Sequence, residues 1–222
     1  MLGSGKDRAV AVVFRLLSGL LGGPPRIVDA EGLRRFLASE SAFLAQKSTV
    51  EYCRARAGLL WQKLFEEQAF REALDVCRWG AMAVVLADQV VVVEGILRPH
   101  AGDAEAELGA ALAGLYEEIL RGYDEVPPEQ RAGWDDLIAE MPTRIARVQL
   151  GPPHGPADTA RTAGKRVYEL LPIHKSLRGH DREMMVNAVR FGMVGFHGKL
   201  GEAVTDPAAL ARDLVARRRA AG

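Results

Sequence analysis

The stretch from Ile173 to Asp181 contains the residue types of a hydrolytic site. It reads Ile-His-Lys-Ser-Leu-Arg-Gly-His-Asp, which places Ser176 close in sequence to His174, His180 and Asp181. A serine that is deprotonated by a histidine, itself oriented by a carboxylate, is the nucleophile of serine esterases. An esterase that uses Ser176 with His174 or His180 is therefore one alternative function.

The same stretch has a simpler interpretation as a loop that leads into a helix. Catalytic triads are recognised by geometry and not by nearness in sequence, and Asp181 is well placed to begin the next helix. The Gly-x-Ser-x-Gly turn of α/β-hydrolases does not occur in the sequence. Our main prediction is therefore that the chain has no catalytic residues.

Metal and cofactor sites have no signature in the sequence. The five histidines form no His-Glu-x-x-His motif, and the two cysteines, Cys53 and Cys77, form no Cys-x-x-Cys pair. Buried free thiols are the simplest interpretation of these cysteines, and they are typical of a reducing cytoplasm. We predict no metal, no cofactor and a cytoplasmic location.

A second candidate site is a set of polar residues on two helices that we expect near the centre of the fold. Its members are Gln46, Tyr52, Arg56, Asp88, Gln89 and Glu94. Buried carboxylates must pair or take up a proton, so we expect Arg56 or Arg54 to pair with Asp88. Such a pair is usually structural, and the alternative is that these residues line a ligand pocket.

The element that must position these groups is a long helix from about residue 70 to residue 97. Its stretch from Ala81 to Leu97 is apolar nearly all round apart from Asp88, Gln89, Glu94 and Gly95. A membrane span needs about 20 apolar residues with few charges, so this shorter stretch with two carboxylates predicts a buried central helix. The valines at 90–93 leave a buried strand as an alternative.

Apolar residues recur at helical spacing through most of the chain. Asp29, Asp103 and Asp206 are expected to cap helices, Gly58 to end one, and Pro142 to kink or divide one. The fold class that this pattern predicts is all-α. We expect an irregular multi-helix bundle of about seven to ten helices around the long apolar central helix.

The chain is expected to consist of one helical domain with an appended segment. Residues 6–21 form an amphipathic helix with a basic polar face, and Gly and Pro residues at 22–25 follow it as a hinge. This helix either docks on the protein's own core or contacts a membrane surface. Residues 26–222 are predicted to form the domain, with an exposed loop near 151–157.

The charges are divided along the chain although they sum to zero. Residues 1–58 have nine basic and five acidic side chains, residues 59–140 six and seventeen, and residues 141–222 fourteen and seven. We expect the acidic middle to attract the basic flanks within one fold. A sequence pI of about 7.0 and the lack of basic residues interleaved with aromatic ones indicate no nucleic-acid binding.

Two blocks of the sequence resemble a family of bacterial all-helical proteins. The first is Ser41–Lys47 followed by Tyr52, Arg56 and Gly58, and the second runs from Leu171 through Asp181 to Glu183, Asn187 and Phe191. Leu171 stands where the family typically has an aromatic residue nearby. The resemblance implies a helical bacterial protein. Automated labels call some members of the family esterases, but it has no established catalytic residues to carry over.

The sequence as a whole favours a non-catalytic accessory or protein-interaction protein. The reason is a regular helical architecture without an assembled set of reactive groups. We expect an unidentified protein partner, and contact with the inner membrane surface through residues 6–21 is a further expectation. The alternatives are the esterase and a helical protein that binds a small molecule or lipid. The sequence does not indicate an oligomeric state.

Overall fold

The computed structural model describes residues 26–221, apart from the side chains of residues 129, 161 and 221. The described residues form eight α-helices longer than one turn and one single-turn helix. In chain order they are α1 (Ala30–Ala57), α2 (Trp61–Glu66), α3 (Gln68–Leu97), α4 (Glu105–Arg121), α5 (Pro128–Gln149), α6 (Pro156–Leu170), the single turn α7 (Lys175–Arg178), α8 (Arg182–Ala203) and α9 (Pro207–Ala221). The all-α fold and the number of helices are confirmed. The predicted amphipathic helix at 6–21 and the hinge at 22–25 lie outside the described residues.

The long helix α3 is the centre of the fold, as the sequence predicts. Every residue from Gly80 to Glu94 is buried, because α1, α4, α5 and α6 all pack around this helix. The four valines at 90–93 are helical, so the strand alternative is wrong. Among the described residues, the helical stretch Gln68–His100 is apolar and long enough to cross a membrane, but 89% of its most apolar window is buried inside the protein.

Two predicted caps fix the ends of helices. The Asp29 Oδ1 atom accepts a hydrogen bond from the Gly32 amide at 2.7 Å, and Asp206 Oδ1 accepts one from the Ala209 amide at 2.8 Å. Each bond satisfies an amide that has no partner within its own helix. Close in sequence to these two caps, the Ile27 amide donates a hydrogen bond to the Ala203 carbonyl at 2.9 Å. This bond joins the start of the described chain to the end of α8.

One other expectation about a helix end is wrong. Asp103 does not cap α4, because residues 102–104 form a 3₁₀ turn and Ala104 occupies the cap position. Of the two effects expected of Pro142, a kink or a division, the division does not occur, because α5 is continuous from Pro128 to Gln149. The buried side chains Met141 and Ile145 lie on either side of this proline, so packing against the core holds the helix together across the missing hydrogen bond. The loop after α5, at 151–155, is mostly exposed.

The acidic middle of the chain pairs with its basic end. Arg217 of α9 lies 3.0 Å from the Glu118 carboxylate of α4, and Arg219 lies 2.6 Å from that of Glu107. These side chains are partly exposed, so each pair adds little stability by itself. They show that opposite charges distant in sequence face each other within the fold.

Candidate functional site

The predicted polar set on α1 and α3 does not form one cluster. Gln46 accepts a hydrogen bond from Arg78 at 3.2 Å, whereas Tyr52 and Arg56 contact Asp181 just before α8. The members on α3 face other directions, because successive residues of a helix point about 100° apart. The six residues therefore belong to five separate environments.

Asp88 is held by residues of α5 and α6. Arg144 donates to its Oδ1 atom, and the Ala163 amide donates to Oδ2 at 3.1 Å. The expected pair with Arg56 or Arg54 is wrong, because Asp88 points away from α1. Arg54 instead lies over the Trp61 ring, 4.3 Å from its centroid.

Burial dominates the electrostatics of Asp88. It raises the pKa of this carboxyl to about 6, although Arg144 and the Ala163 amide favour the charged form. The carboxylate joins three helices through its partners, and this is the architectural role that buried ion pairs usually have.

Glu94, in the last turn of α3, is also paired. Arg98 Nε lies 2.8 Å from Glu94 Oε1 and Arg98 Nη2 donates to Oε2 at 3.0 Å, while Gln149 Nε2 donates to Oε1 at 3.2 Å. Arg98 also donates to the Gly151 carbonyl at 2.6 Å. The network fastens the end of α3 to the loop that follows α5.

Tyr52, Arg56 and Asp181 connect the two blocks that carry the family resemblance. The Tyr52 hydroxyl donates to Asp181 Oδ2 at 3.0 Å, and Arg56 forms an ion pair with the same carboxylate. Arg56 also donates to the Arg178 carbonyl at 2.6 Å. Burial raises the pKa of Tyr52, so this phenol stays protonated. The three side chains hold the turn before α8 against α1.

The structure brings together only two of the four predicted catalytic residues. His174 Nδ1 lies 2.7 Å from Ser176 Oγ and accepts a hydrogen bond from the Ser176 amide at 3.3 Å, which is how a side chain caps α7. Both side chains are exposed, as is His180. Asp181 accepts from Tyr52 and pairs with Arg56, both on α1. Within residues 26–221, no carboxylate orients His174 as a triad would require.

A groove between α1 and α8 contains the candidate site that the sequence did not indicate. It encloses a cavity of about 300 Å³, and we call it the α1/α8 groove. Its walls and base include Phe43, Leu44 and Lys47 from α1, Phe191 and Phe196 from α8, and Gln89 from α3.

Gln89 is the residue of α3 that lines the groove. This side chain is 0% exposed, and within the described part of the chain neither its Nε2 nor its Oε1 atom has a hydrogen-bond partner. A buried polar group without a partner destabilises a protein by roughly 1–3 kcal/mol. Native structures contain few such groups, and each of them requires an explanation.

The outer part of the groove combines aromatic and charged side chains. Phe43 is 41% exposed and Phe191 is 80% exposed. Lys199 pairs with Glu40 at 2.9 Å and also lies 5.3 Å from the centroid of the Phe43 ring. Lys47 and Glu51 add one charge of each sign to the lining, so the charges of the groove balance.

Two glycines of α8 determine the shape of the groove. A Cβ atom at Gly192 would collide with the Leu44 side chain, so α1 and α8 can approach this closely only because residue 192 is glycine. One turn further along α8, a Cβ at Gly195 would meet no atom within 4 Å. The helices therefore touch at Gly192 and leave open space beside Gly195.

A smaller cavity of about 190 Å³ lies between α5 and α6, next to the Asp88 pair. Arg144, Arg166 and Glu140 line it. The Asp88 carboxylate beside this cavity already accepts hydrogen bonds from Arg144 and the Ala163 amide. This cavity therefore lacks a buried side chain with unpaired atoms such as Gln89 in the α1/α8 groove. Over residues 26–221, no group of three or more His, Cys, Asp or Glu side chains is arranged to hold a metal ion.

The sequence contained one signal that could have found the groove. Phe43 and Lys47 belong to the first block of the family resemblance and Phe191 ends the second, so the two blocks supply opposite walls. Gln89 was singled out only as a member of the polar set. Nothing in the sequence showed that it lacks a partner, because that depends on which helices pack beside it.

The chain has no match among protein-family models, curated proteins or solved structures. The resemblance to a bacterial helical family, and the esterase label attached to some of its members, therefore stay predictions. The geometry of the chain itself must support any assignment of function.

Proposed function

We propose that this protein binds a small, largely apolar molecule in the α1/α8 groove. The observation that carries the proposal is Gln89, which lines the groove and whose buried amide has no hydrogen-bond partner among the described residues. Departures from good packing and hydrogen bonding occur mainly at functional sites, where a ligand completes the missing contacts.

The size and lining of the groove support this proposal. Its volume of about 300 Å³ lies at the lower end of the range for ligand pockets, roughly 300–1,000 Å³. Such pockets are mostly apolar and have a few polar groups that orient the ligand. Leu44, Phe196 and the two exposed phenylalanines provide the apolar surface, and Gln89 provides the polar group.

The esterase alternative has weaker support. The contact between Ser176 and His174 lies on the exposed turn before α8, and neither residue lines the groove. His174 uses Nδ1 for both the Ser176 hydroxyl and the Ser176 amide, which is sufficient for a role as a helix cap.

The proposal is tested by titrating the full-length protein with the fluorescent apolar dye Nile red. We expect saturable binding by the wild type and a loss of about tenfold or more in affinity for Gly195→Trp, since the indole fills the open space in the groove. Gly201→Trp is the matched control, because Gly201 is also on α8 with open space around it but does not line the groove. Equal binding by the two variants would contradict the proposal.

An interaction protein remains a second candidate, because one face of α8 is exposed and uncharged. Met184 and Val194 lie on this face on either side of Phe191, and their side chains are 52% and 49% exposed. In an antiparallel pair of α8 helices centred on Phe191, Met184 would lie opposite Gly198 of the other copy, which has open space for it. We propose a second copy of this chain as the partner.

Light scattering of the full-length protein distinguishes this second candidate from the first. We expect a dimer that becomes a monomer in Met184→Glu, since Met184 lies on the exposed face but outside the groove. Leu177→Glu, a change at an exposed apolar residue of α7, serves as the control and should leave the dimer intact. A monomeric wild type would contradict the pairing of α8 helices.

A further inference from the structure

We infer that the ligand of the α1/α8 groove is an uncharged molecule with an apolar body and one amide-like end. This end presents a hydrogen-bond donor and an acceptor side by side to Gln89. The inference rests on the proposed binding function and adds the chemical class of the ligand.

The requirement for both a donor and an acceptor follows from the two unpaired atoms. A glutamine Nε2 donates hydrogen bonds and its Oε1 accepts them, and both atoms of Gln89 are buried without a partner in the described structure. A ketone, ester or ether would satisfy Nε2 and leave Oε1 unpaired. A primary amide, a lactam or a neutral carboxylic acid can satisfy both atoms at once.

We infer that the ligand is uncharged from the residues that line the α1/α8 groove. The buried part of the lining includes the apolar side chains Leu44 and Phe196 and the uncharged residue Ser48, so an ionic group placed beside them would lose its hydration without an opposite charge to compensate. The charged residues of the lining are two lysines and two glutamates, and Lys199 is already paired with Glu40. No net positive charge is left to attract an anion.

We infer that the ligand has an apolar body from the three phenylalanines that line the groove. Phe196 is buried inside the groove, whereas Phe43 and Phe191 are exposed toward its mouth. A ligand in the groove contacts these rings, and apolar contact with them removes their surface from water. The groove therefore combines an apolar aromatic surface with the polar group of Gln89.

The test compares three probes that share one alkyl chain, each displacing Nile red from the full-length protein. Octanamide offers both a donor and an acceptor, N,N-dimethyloctanamide offers only an acceptor, and octanoate carries a charge at pH 7. We expect octanamide to bind roughly tenfold or more tightly than either of the others, because a site built to hydrogen-bond rejects analogues that leave its groups unpaired.

Gln89→Leu and Gln89→Met then show whether Gln89 causes the preference. Both variants replace the amide side chain with an apolar one of similar size. We therefore expect the ratio of octanamide affinity to dimethyloctanamide affinity to fall to about one. Two variants are used so that a failure of either one to fold does not prevent the comparison. In each variant the affinities of the two amides are compared with each other, so the ratio does not depend on how tightly that variant binds Nile red.

The outcomes separate the inference from the proposed function. If Nile red binds in the groove but the wild type does not prefer octanamide, the amide-like end is excluded and the binding function stands. A preference that survives in Gln89→Leu would also overturn the inference, since another group would then recognise the amide. Tighter binding of octanoate would overturn the uncharged class. Failure of all probes and of Nile red would remove the proposed function itself.

Discussion

Asp88 and Gln89 are adjacent on the central helix, both are 0% exposed, and they differ in what surrounds them. Asp88 has partners on two other helices, the Arg144 guanidinium and the Ala163 amide. Gln89 points about 100° away and lines the groove between α1 and α8, where it has no hydrogen-bond partner within residues 26–221. Asp88 therefore links helices through its hydrogen bonds, whereas Gln89 lines a groove and has unpaired amide atoms in the described structure.

This difference separates two reasons for placing a polar residue in an apolar core. A polar side chain with partners fixes how helices pack, and its removal leaves those partners unsatisfied. One without partners destabilises the protein and contributes nothing to packing specificity, so its presence requires another explanation. Binding is the explanation that the groove beside Gln89 supports.

The largest expected effect comes from breaking the Asp88 pair. Arg144→Met should lower the free energy of unfolding by about 3 kcal/mol or more at pH 7, because it leaves a buried carboxylate without its cation. Arg147→Met is the control, since Arg147 lies on the same helix but is exposed, and its change should stay within about 0.5 kcal/mol. Urea denaturation measures both. Similar losses in the two variants would mean that Asp88 does not depend on Arg144.

The pH dependence of stability isolates the titration of Asp88. Its pKa is about 6 in the folded protein and about 3.9 in an unfolded chain, so between these values a rise in pH ionises the unfolded chain first and lowers stability. Relative to Asp88→Asn, the stability of the wild type should be about 2 kcal/mol greater at pH 4 than at pH 7. Unfolding curves at several pH values measure this difference. A constant difference would show that Asp88 titrates normally.

The fold could be predicted from the sequence because its signals are local. The apolar run at residues 81–97 predicts a buried helix, and Asp29 and Asp206 identify helix starts before any packing is known. The errors occurred where packing overrides a local rule. Pro142 stays within α5 because the side chains around it are buried, and no pattern along the chain reports that.

The candidate site could not be predicted in the same way, because it depends on tertiary neighbours. Sequence analysis recognised that Asp88 and Gln89 are polar residues in an apolar helix, and it expected a partner from α1. The partner of Asp88 came from α5, which is 56 positions away in sequence. Gln89 lines a groove between α1 and α8, and these two helices meet closely at Gly192, a contact that no pattern along the chain reports.

The shape of the groove beside Gln89 can be tested at these glycines of α8. Gly192→Ala should lower the free energy of unfolding by about 1–3 kcal/mol, since the added methyl collides with Leu44 at the tightest contact of the two helices. Gly195→Ala should instead raise it by about 0.5–1 kcal/mol, because the methyl enters open space and alanine favours the helix. Equal effects in denaturant unfolding would contradict the contact between α1 and α8.

Leucine at the two adjacent positions of α3 provides the most direct comparison of Asp88 and Gln89. Gln89→Leu should raise the free energy of unfolding by about 1–2 kcal/mol, because an apolar side chain replaces two buried polar atoms that have no partner in the described structure. This gain corresponds to a melting temperature that is higher by about 2–8 °C. Asp88→Leu should have the opposite sign, since Arg144 and the Ala163 amide lose their acceptor. If both variants were destabilised, Gln89 would have a partner in the ligand-free protein, such as bound water, and the groove would lose the feature that distinguishes it.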